Sequence, residues 1–379
     1  MPATAMMQTK AKYLKRTVMR RLSHTASVDN VGALDTVGAA IDACARALER
    51  ARLHFGHGTD NARDEAAELV FFAAGLSHEL AQEAYGFSLK RRSIAKITAL
   101  LERRITLRVP LPYLTRRAFF AGLELYVDER VLVPRSPIGE LIVGRFAPWI
   151  DAARVRRILD IGTGSGAIAL AAAKAFPQAR VDAVDVSGAA LQVARRNARR
   201  LGLENRVRML ESDHFDAVRG RRYDIIVSNP PYVGRAEMRT LPREYRHEPR
   251  LGLAAGVDGL DSVRAILGEA QEHLTRDGIL VVEVGNSETA LLEAFPELPF
   301  IWPTLMRLES AETGGGVFLL RAADLPGAED LPRAKPLLRA KPLPRAKALP
   351  RAKAVRSAKA SRRAKASRRA KVLRRAKEI

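Results

Sequence analysis

The chain has 379 residues, 47% of them hydrophobic, which is enough for a buried core and for more than one domain. No apolar run approaches the roughly 18 residues a bilayer span needs, and the single cysteine, Cys44, rules out an internal disulfide and a cysteine-based metal cluster; a soluble protein of the reducing cytoplasm is expected. The formal net charge of +22 is localised, because residues 331–379 carry 19 Lys or Arg against one acid, Glu378, leaving +4 for the rest.

Residues 1–28 hold Lys10, Lys12, Lys15, Arg16, Arg20 and Arg21 and no acid. The composition resembles an organellar transit peptide, but a basic extension without a fold of its own explains it at least as well, and no long apolar segment supports a secretory signal. Over residues 29–117 the period is helical. Leu34, Val37, Ile41, Ala45 and Leu48 recur at spacings of three and four, and Leu69, Val70, Phe72, Ala73 and Leu76 continue the theme, with Gly75 as a stop. A small helical substrate-recognition domain is predicted, with Cys44 a small buried residue on one of its helices. Residues 118–140 read as a β-hairpin linker, since Phe119, Leu123, Leu125, Val127 and Val131 alternate around Gly122 and Asp128-Glu129.

From residue 141 to 322 strands and helices alternate. Strands are predicted at Arg156–Ile161, Arg180–Val186, Val207–Leu210, Tyr223–Ser228 and Ile279–Val284, and helices at Ala167–Phe176, Gly188–Leu201 and Ser262–Leu274. Leu305–Leu308 and Gly316–Leu320 are expected to close the sheet as a hairpin pair. This order predicts an α/β fold: a seven-stranded, mainly parallel, Rossmann-like sheet with helices on both faces. Residues 323–379 repeat Arg-Ala-Lys, with prolines early and serines later. Few large apolar residues are present, so no core offsets chain entropy, and a disordered tail is expected.

Two motifs sit at predicted strand ends. The first is Asp160-Ile161-Gly162-Thr163-Gly164-Ser165-Gly166, where a strand turns into a helix. Glycines there let the backbone turn sharply and approach a ligand. Continued into Ala167 the stretch also satisfies the loose dinucleotide pattern, and no Gly-Lys-Ser/Thr follows to make a triphosphate loop. Asp185 ends the next strand, where an acid accepts hydrogen bonds from both hydroxyls of a ribose. A tight turn and a helix cap are the purely structural alternatives; the position at strand ends favours a nucleoside-containing cofactor, either NAD or S-adenosylmethionine.

The second motif decides between them. Strand Tyr223–Ser228 runs into Asn229-Pro230-Pro231-Tyr232. The prolines fix φ and remove backbone donors, leaving carbonyls; Asn229 adds a side-chain carbonyl oxygen, and Tyr232 an aromatic face for a planar substrate. Two stiff acceptors suit a flat NH2 group. An amide nitrogen is a poor nucleophile because its lone pair is delocalised, and gripping both N–H bonds directs that lone pair at a sulfonium methyl. The combination is specific for amino-group methylation, but adenine and cytosine present the same flat NH2 as a glutamine side chain.

Asp160–Ala167 and Asn229–Tyr232 resemble the corresponding segments of the glutamine-N5 protein methyltransferases, which modify either peptide release factors or a large-subunit ribosomal protein. Phe55–Asn61, Val131–Glu140 and Glu244–Gly256 are similar to the ribosomal-protein branch. The resemblance covers about residues 31–321 and excludes the basic tail. It implies that Asp160, Gly162, Thr163, Gly164, Ser165, Gly166 and Asp185 bind S-adenosylmethionine, that Asp213 and His214 lie near the adenine, and that Asn229, Pro230, Pro231 and Tyr232 hold the substrate glutamine, with Asn229 also touching the cofactor. Arg135 and Glu140 are a candidate ion pair in the loop leading into the catalytic domain. Arg246, His247 and Glu248 either help hold the protein substrate or form a solvated charged loop. The implied partner is a ribosomal protein, with a release factor or adenine-N6 of DNA as alternative substrates; the tail is expected to attract ribosomal RNA or another polyanion without base-specific readout.

Overall fold

The computed structural model describes residues 35–305 and 316–326. The basic N-terminal extension and the Arg-Ala-Lys tail lie outside the described residues.

The N-terminal part is helical. Helix α1 (Val37–Arg50) starts where the Thr36 hydroxyl accepts from the Ala39 amide, and α2 (Ala62–Ala74) where Asn61 accepts from Asp64. Gly75, with φ 71°, closes α2 at the expected stop. Helices α3 (Arg91–Leu107) and α4 (Leu111–Thr115) complete the set. Ile41, Leu48, Leu69, Ile97 and Leu101 are among the residues of their shared core, each such side chain contributing about 1.5–3 kcal/mol by leaving water. Cys44 is buried there, and burial pushes its thiol up to about 12.

Within this core sits a buried ion pair. Arg104, fully buried, donates to both carboxylate oxygens of Glu65, from Nε at 2.6 Å and Nη2 at 3.2 Å.

The hairpin is shorter than the alternation suggests. Strands β1 (Ala118–Phe120) and β2 (Leu123–Leu125) pair antiparallel and stop. Phe119 points outward, 44% exposed, while Phe120 is buried. Val127, Val131 and Val133 are buried in loop, where they join Tyr113, Ala190 and Val193 in a small apolar cluster. Burial there comes from long-range packing, which the two-residue period mimicked.

The part that follows alternates strands and helices: α5 (Ile138–Val143), β3 (Arg157–Ile161), α6 (Ala167–Ala175), β4 (Arg180–Asp185), α7 (Gly188–Arg200), β5 (Val207–Glu211), β6 (Tyr223–Ser228), α8 (Asp261–His273), β7 (Leu274–Glu283), α9 (Glu288–Ala294) and β8 (Val317–Arg321). Helices α5 and α9 add to the expected elements, and β7 starts five residues earlier than the expected Ile279. The sheet order is β5-β4-β3-β6-β7-β8, parallel except for β8. Alternate strand residues face opposite layers: Ile158, Val181 and Ile225 pack with α5, α6 and α7, and Leu159, Val184 and Ile226 with α8 and α9. The sheet has six strands among the described residues, one fewer than expected. The expected strand Leu305–Leu308 falls almost wholly in residues 306–315, outside the described residues, and Ile301 makes only an isolated antiparallel bridge to Leu319.

Removing one partner of a buried ion pair leaves an uncompensated charge, at a cost of about 3–5 kcal/mol. Because Nη1 of Arg104 also lies 3.6 Å from Glu244, Glu65→Ala is expected to cost about 3 kcal/mol, read from urea unfolding. An unchanged midpoint would show that the pair contributes nothing to stability.

Candidate active site

Strand order reverses between β3 and β6, since the chain winds from β3 out to β5 on one side and from β6 out to β7 on the other. Open α/β sheets have their ligand crevice at such a point, beyond the carboxyl ends of the strands. Both motifs are there. Ile161 and Ser228 are paired across the two strands, and the Ser228 hydroxyl donates to the Ile161 carbonyl at 2.8 Å. The glycine loop and Asn229 thus leave adjacent strand ends side by side.

Gly162 and Gly164 have φ of 73° and 54°, a region that disfavours side chains. A Cβ on Gly162 would meet only the Asn229 carbonyl oxygen, at 3.8 Å, and one on Gly164 only the Gly162 carbonyl, at 4.0 Å. The loop therefore faces open space. Its shape is held from below: the Gly162 and Thr163 amides donate to the Val184 carbonyl, and the Gly164 amide to Asp185 Oδ2 at 2.8 Å. Asp185 Oδ1 accepts from the Ser187 amide at 2.8 Å; each carboxylate oxygen keeps a further lone pair for a ligand hydroxyl. Gly166, also at positive φ, ends the loop at the start of α6, and the buried Ser165 gives its carbonyl to Asn197 at 2.9 Å.

Asp160 is fully buried beneath the loop. Its Oδ2 accepts from the Thr163 hydroxyl at 2.6 Å and the Ala169 amide at 3.0 Å, while Oδ1 has no partner. Burial raises its pKa to about 7, against the lowering effect of these two hydrogen bonds.

The Asn229–Tyr232 segment is clamped behind its free acceptors. Among the described residues no protein donor reaches the Asn229 side-chain oxygen or the Pro230 carbonyl. The Tyr232 carbonyl accepts from the Ser287 hydroxyl at 2.8 Å, and its phenol donates to Glu283 Oε1 at 3.0 Å. The ring lies so close to Gly285 that a Cβ there would come within 2.6 Å of it. Glu283, which also accepts from the Ser136 hydroxyl, is buried, and burial raises its pKa. Burial likewise pushes the Tyr232 phenol well above its usual value, so it stays a donor.

His214 lies three residues beyond the carboxyl end of β5. Its φ is 43°, its Nδ1 lies 2.7 Å from Asp213 Oδ1 and its Nε2 2.7 Å from Ser262 Oγ. Both ring nitrogens are engaged by the protein, which leaves the ring face as what it can offer a ligand.

Arg135 does not pair with Glu140. It forms a bidentate pair with the buried Glu248, at 2.6 and 2.8 Å. Glu248 is thus an internal anchor rather than part of a solvated loop, and His247 Nε2 lies 2.9 Å from the Leu107 carbonyl; Arg246 is exposed. The three further stretches of the resemblance converge at Glu248. It accepts from the Val133 amide at 3.2 Å, and the buried His57 ring lies 3.8 Å away and 4.8 Å from the Tyr245 ring. Burial and the nearby Arg135 and Arg104 push His57 down to about 2, so it is neutral.

Sequence reasoning missed Glu283, Ser136, Ser287 and Asn197. Glu283 had a signal, an acid closing an apolar strand as Asp160 and Asp185 do. Asn197 had none. It reaches from α7 to the Tyr126 backbone as well as the Ser165 carbonyl, and so ties the linker to the glycine loop.

Residues 145–242 match the family model described as the methyltransferase small domain. The chain is 44% identical over 274 residues to the ribosomal protein uL3 glutamine methyltransferase of Francisella tularensis subsp. tularensis, covering 72% of this chain and 86% of that one. It is 44% identical over 279 residues to the enzyme of that name from Bordetella pertussis, covering 73% and 92%. The likeness to the one from Xanthomonas campestris pv. campestris is 49% over 256 residues, covering 67% and 82%.

The chain belongs to the family of ribosomal protein uL3 glutamine methyltransferases.

Its methyl donor is S-adenosylmethionine, and the open glycine loop with the Asp185 carboxylate beside it fits a nucleoside of that kind. For this methyltransferase the raised Asp160 pKa has a consequence. A carboxyl that is easier to protonate when folded contributes its full stability below the unfolded value and loses it as pH rises through the folded one. Relative to Asp160→Asn, the wild type should lose stability between about pH 4 and about pH 7, by at most about 1.4 kcal/mol per pH unit. Denaturant midpoints of both chains across that range check it, and a flat difference would place the Asp160 pKa in the ordinary range.

Proposed function

We propose that this chain transfers a methyl group to the side-chain N5 of a glutamine in ribosomal protein uL3, with Asn229, Pro230, Pro231 and Tyr232 as the grip on that side chain. The observation that carries the assignment of the grip is the pair of unpaired acceptors at Asn229 and Pro230, leaving a strand end next to the open glycine loop. Gly162–Gly166 and Asp185 hold the cofactor in this reading, Asp160 and Thr163 brace the loop from beneath, and Asp213 and His214 border the adenine.

When bound, S-adenosylmethionine supplies an electrophilic methyl on a sulfonium. The chain's own part is positional. The Asn229 side-chain oxygen and the Pro230 carbonyl accept the two amide N–H bonds, which fixes the plane of the amide and so the direction of the lone pair perpendicular to it. Tyr232 covers one face of the flat amide; its ring is held by Glu283 and Gly285 and its backbone carbonyl by Ser287. Holding reactants in line contributes several kcal/mol, up to roughly 7–11 in favourable cases. No strong base is needed beforehand, because the nitrogen becomes acidic only as the N–C bond forms and the C–S bond of the donor breaks; the proton is then lost to solvent water.

The helical part is the proposed reader of the protein substrate. Glu244, just beyond the motif, accepts from Arg108 at 2.9 Å and from the His54 amide at 3.2 Å, so the segment following the grip is anchored on the helices. In the basic tail the proposed role is to concentrate the enzyme near ribosomal RNA. The cytoplasm is the proposed compartment; among the described residues no helix is long and apolar enough to cross a membrane.

Offering purified uL3, release factor and DNA alongside labelled cofactor, then mapping the modified residue by mass spectrometry, tests the substrate. Label on a uL3 glutamine is expected, and label confined to release factor or DNA would overturn the assignment. Asn229→Ala should lower turnover at least about 100-fold while cofactor affinity measured by calorimetry barely moves. Turnover at the wild-type level in that variant removes Asn229 from the grip.

A further inference from the structure

The opposite edge of the sheet carries a second feature. At the amino ends of β3, β4, β5 and β6, a groove of about 880 Å³ is lined by seven arginines against two acids, Asp182 and Glu204. The strands are five or six residues long, so the groove lies roughly 15–20 Å from the crevice at their carboxyl ends. A molecule can occupy it without touching the active site.

The arginines are not evenly spent on internal pairing. Arg208 and Arg221 both bond Asp182, which also accepts from the Tyr223 phenol. Three others are tethered to neutral carbonyls: Arg180 to Asn205 at 3.2 Å, Arg195 to Met209 at 3.2 Å and Arg206 to Pro177 at 2.9 Å. A carbonyl orients a guanidinium without cancelling its charge; four N–H donors remain on Arg180 and Arg195, and three on Arg206, which also donates to the Phe176 carbonyl. Arg157 and Arg199 have no side-chain ion pair among the described residues.

Helix α7 shows the division within one stretch. Its Arg196 stacks over the Tyr126 ring at 3.4 Å and Arg200 donates to Glu124 at 3.0 Å. Arg195 and Arg199, one turn apart, face the groove instead. Like charges at that spacing disfavour a helix. Favourable interaction of Arg199 with the helix carboxyl end accounts for one residue, not for the concentration of Arg157, Arg180, Arg195 and Arg208 around a single concavity.

We infer that this groove binds the phosphate backbone of RNA while the opposite crevice works on the protein substrate, an inference that rests on the ribosomal-protein reading above. Guanidinium is the side chain suited to phosphate, through paired N–H bonds. Five of the seven, Arg157, Arg180, Arg195, Arg199 and Arg206, carry no ion pair among the described residues, more than one small anion engages and enough for a chain of phosphates. Among the described residues the lining holds one aromatic ring, Tyr223, and it is 1% exposed, so bases find no stacking platform and recognition is of the backbone, independent of sequence. A ribosomal protein meets the enzyme either free or already on RNA, and the groove selects the second form.

The test uses the full chain and a short fluorescein-labelled RNA hairpin, with anisotropy read across a salt series. Arg195→Glu/Arg199→Glu removes two groove contacts. Arg46→Glu/Arg50→Glu, on exposed positions of α1, changes net charge equally elsewhere and controls for the basic tail. Expected for the groove pair is at least about a ten-fold loss of RNA affinity near 0.15 M salt and a log–log salt slope shallower by about 2. The α1 pair should match wild type. Arg195→Gln/Arg199→Gln, a milder change, should move the same way by a smaller factor. With uL3 presented on its RNA, kcat/KM should fall in the groove variants, while methylation of free uL3 stays at the wild-type level. Equal loss of RNA affinity in the groove and α1 pairs overturns the inference, as does displacement of the hairpin by polyglutamate as effectively as by unlabelled RNA. Failure of the wild type to modify uL3 in either form, free or on its RNA, would instead overturn the substrate reading.

Discussion

The pairing of β3 with β6 is the constraint on which the site depends. Neither strand is near the other in sequence, yet Ile158–Ile161 lie in parallel register with Ile225–Ser228. That register brings the glycine loop and the Asn229 carbonyl within van der Waals reach. A slip by one residue would reverse every side chain on β6 between the two apolar layers, so the burial of Ile225, Ile226 and Val227 on alternate faces also fixes where the motif emerges. Core packing and the alignment of the two motifs are thus one requirement met by the same residues.

Around this alignment the structure uses buried charge where apolar packing would serve stability as well. Glu244, Glu248 and Glu283 are all buried, and each is met by donors from another part of the chain: Arg108 and the His54 amide, Arg135 and the Val133 amide, Tyr232 and Ser136. Such groups contribute little net stability after desolvation. Their value is directional. A carboxylate with two donors at fixed angles holds a loop in one place, and these three hold the segments before and after Asn229–Tyr232. The neutral His57, packed on Tyr245 beside Glu248, belongs to the same arrangement.

The two ends of the sheet divide their chemistry by the direction of the strands. At the carboxyl ends Asp160, Asp185 and Glu283 bring acceptors and acids to the crevice. At the amino ends Arg157, Arg180 and Arg208 bring guanidiniums to the groove. A parallel sheet makes this separation simple, since every strand start lies on one side and every strand end on the other.

Much of this was legible without coordinates. Period and composition placed β3 to β6 and the helices α6, α7 and α8 within a residue or two, because alternation and helix stops are local properties of the chain; β7 begins five residues before the expected Ile279, and the short helices α5 and α9 were not foreseen. The chemistry of Asn229–Tyr232 and of the glycine loop was equally local, residing in proline's missing donor and glycine's tolerance of positive φ. The hairpin was overextended past Leu125, since Val127 and Val131 are buried by contacts with Tyr113 and Val193 that no short window contains. Arg135 was matched to Glu140, its neighbour in sequence, whereas its partner Glu248 lies 113 positions away. By itself the sequence determined which groups the protein carries to each strand end. Only the tertiary structure decided which ends lie together, which buried acid answers which arginine, and that arginines scattered from residue 157 to 221 share one groove, because those choices are made by strand order and long-range packing.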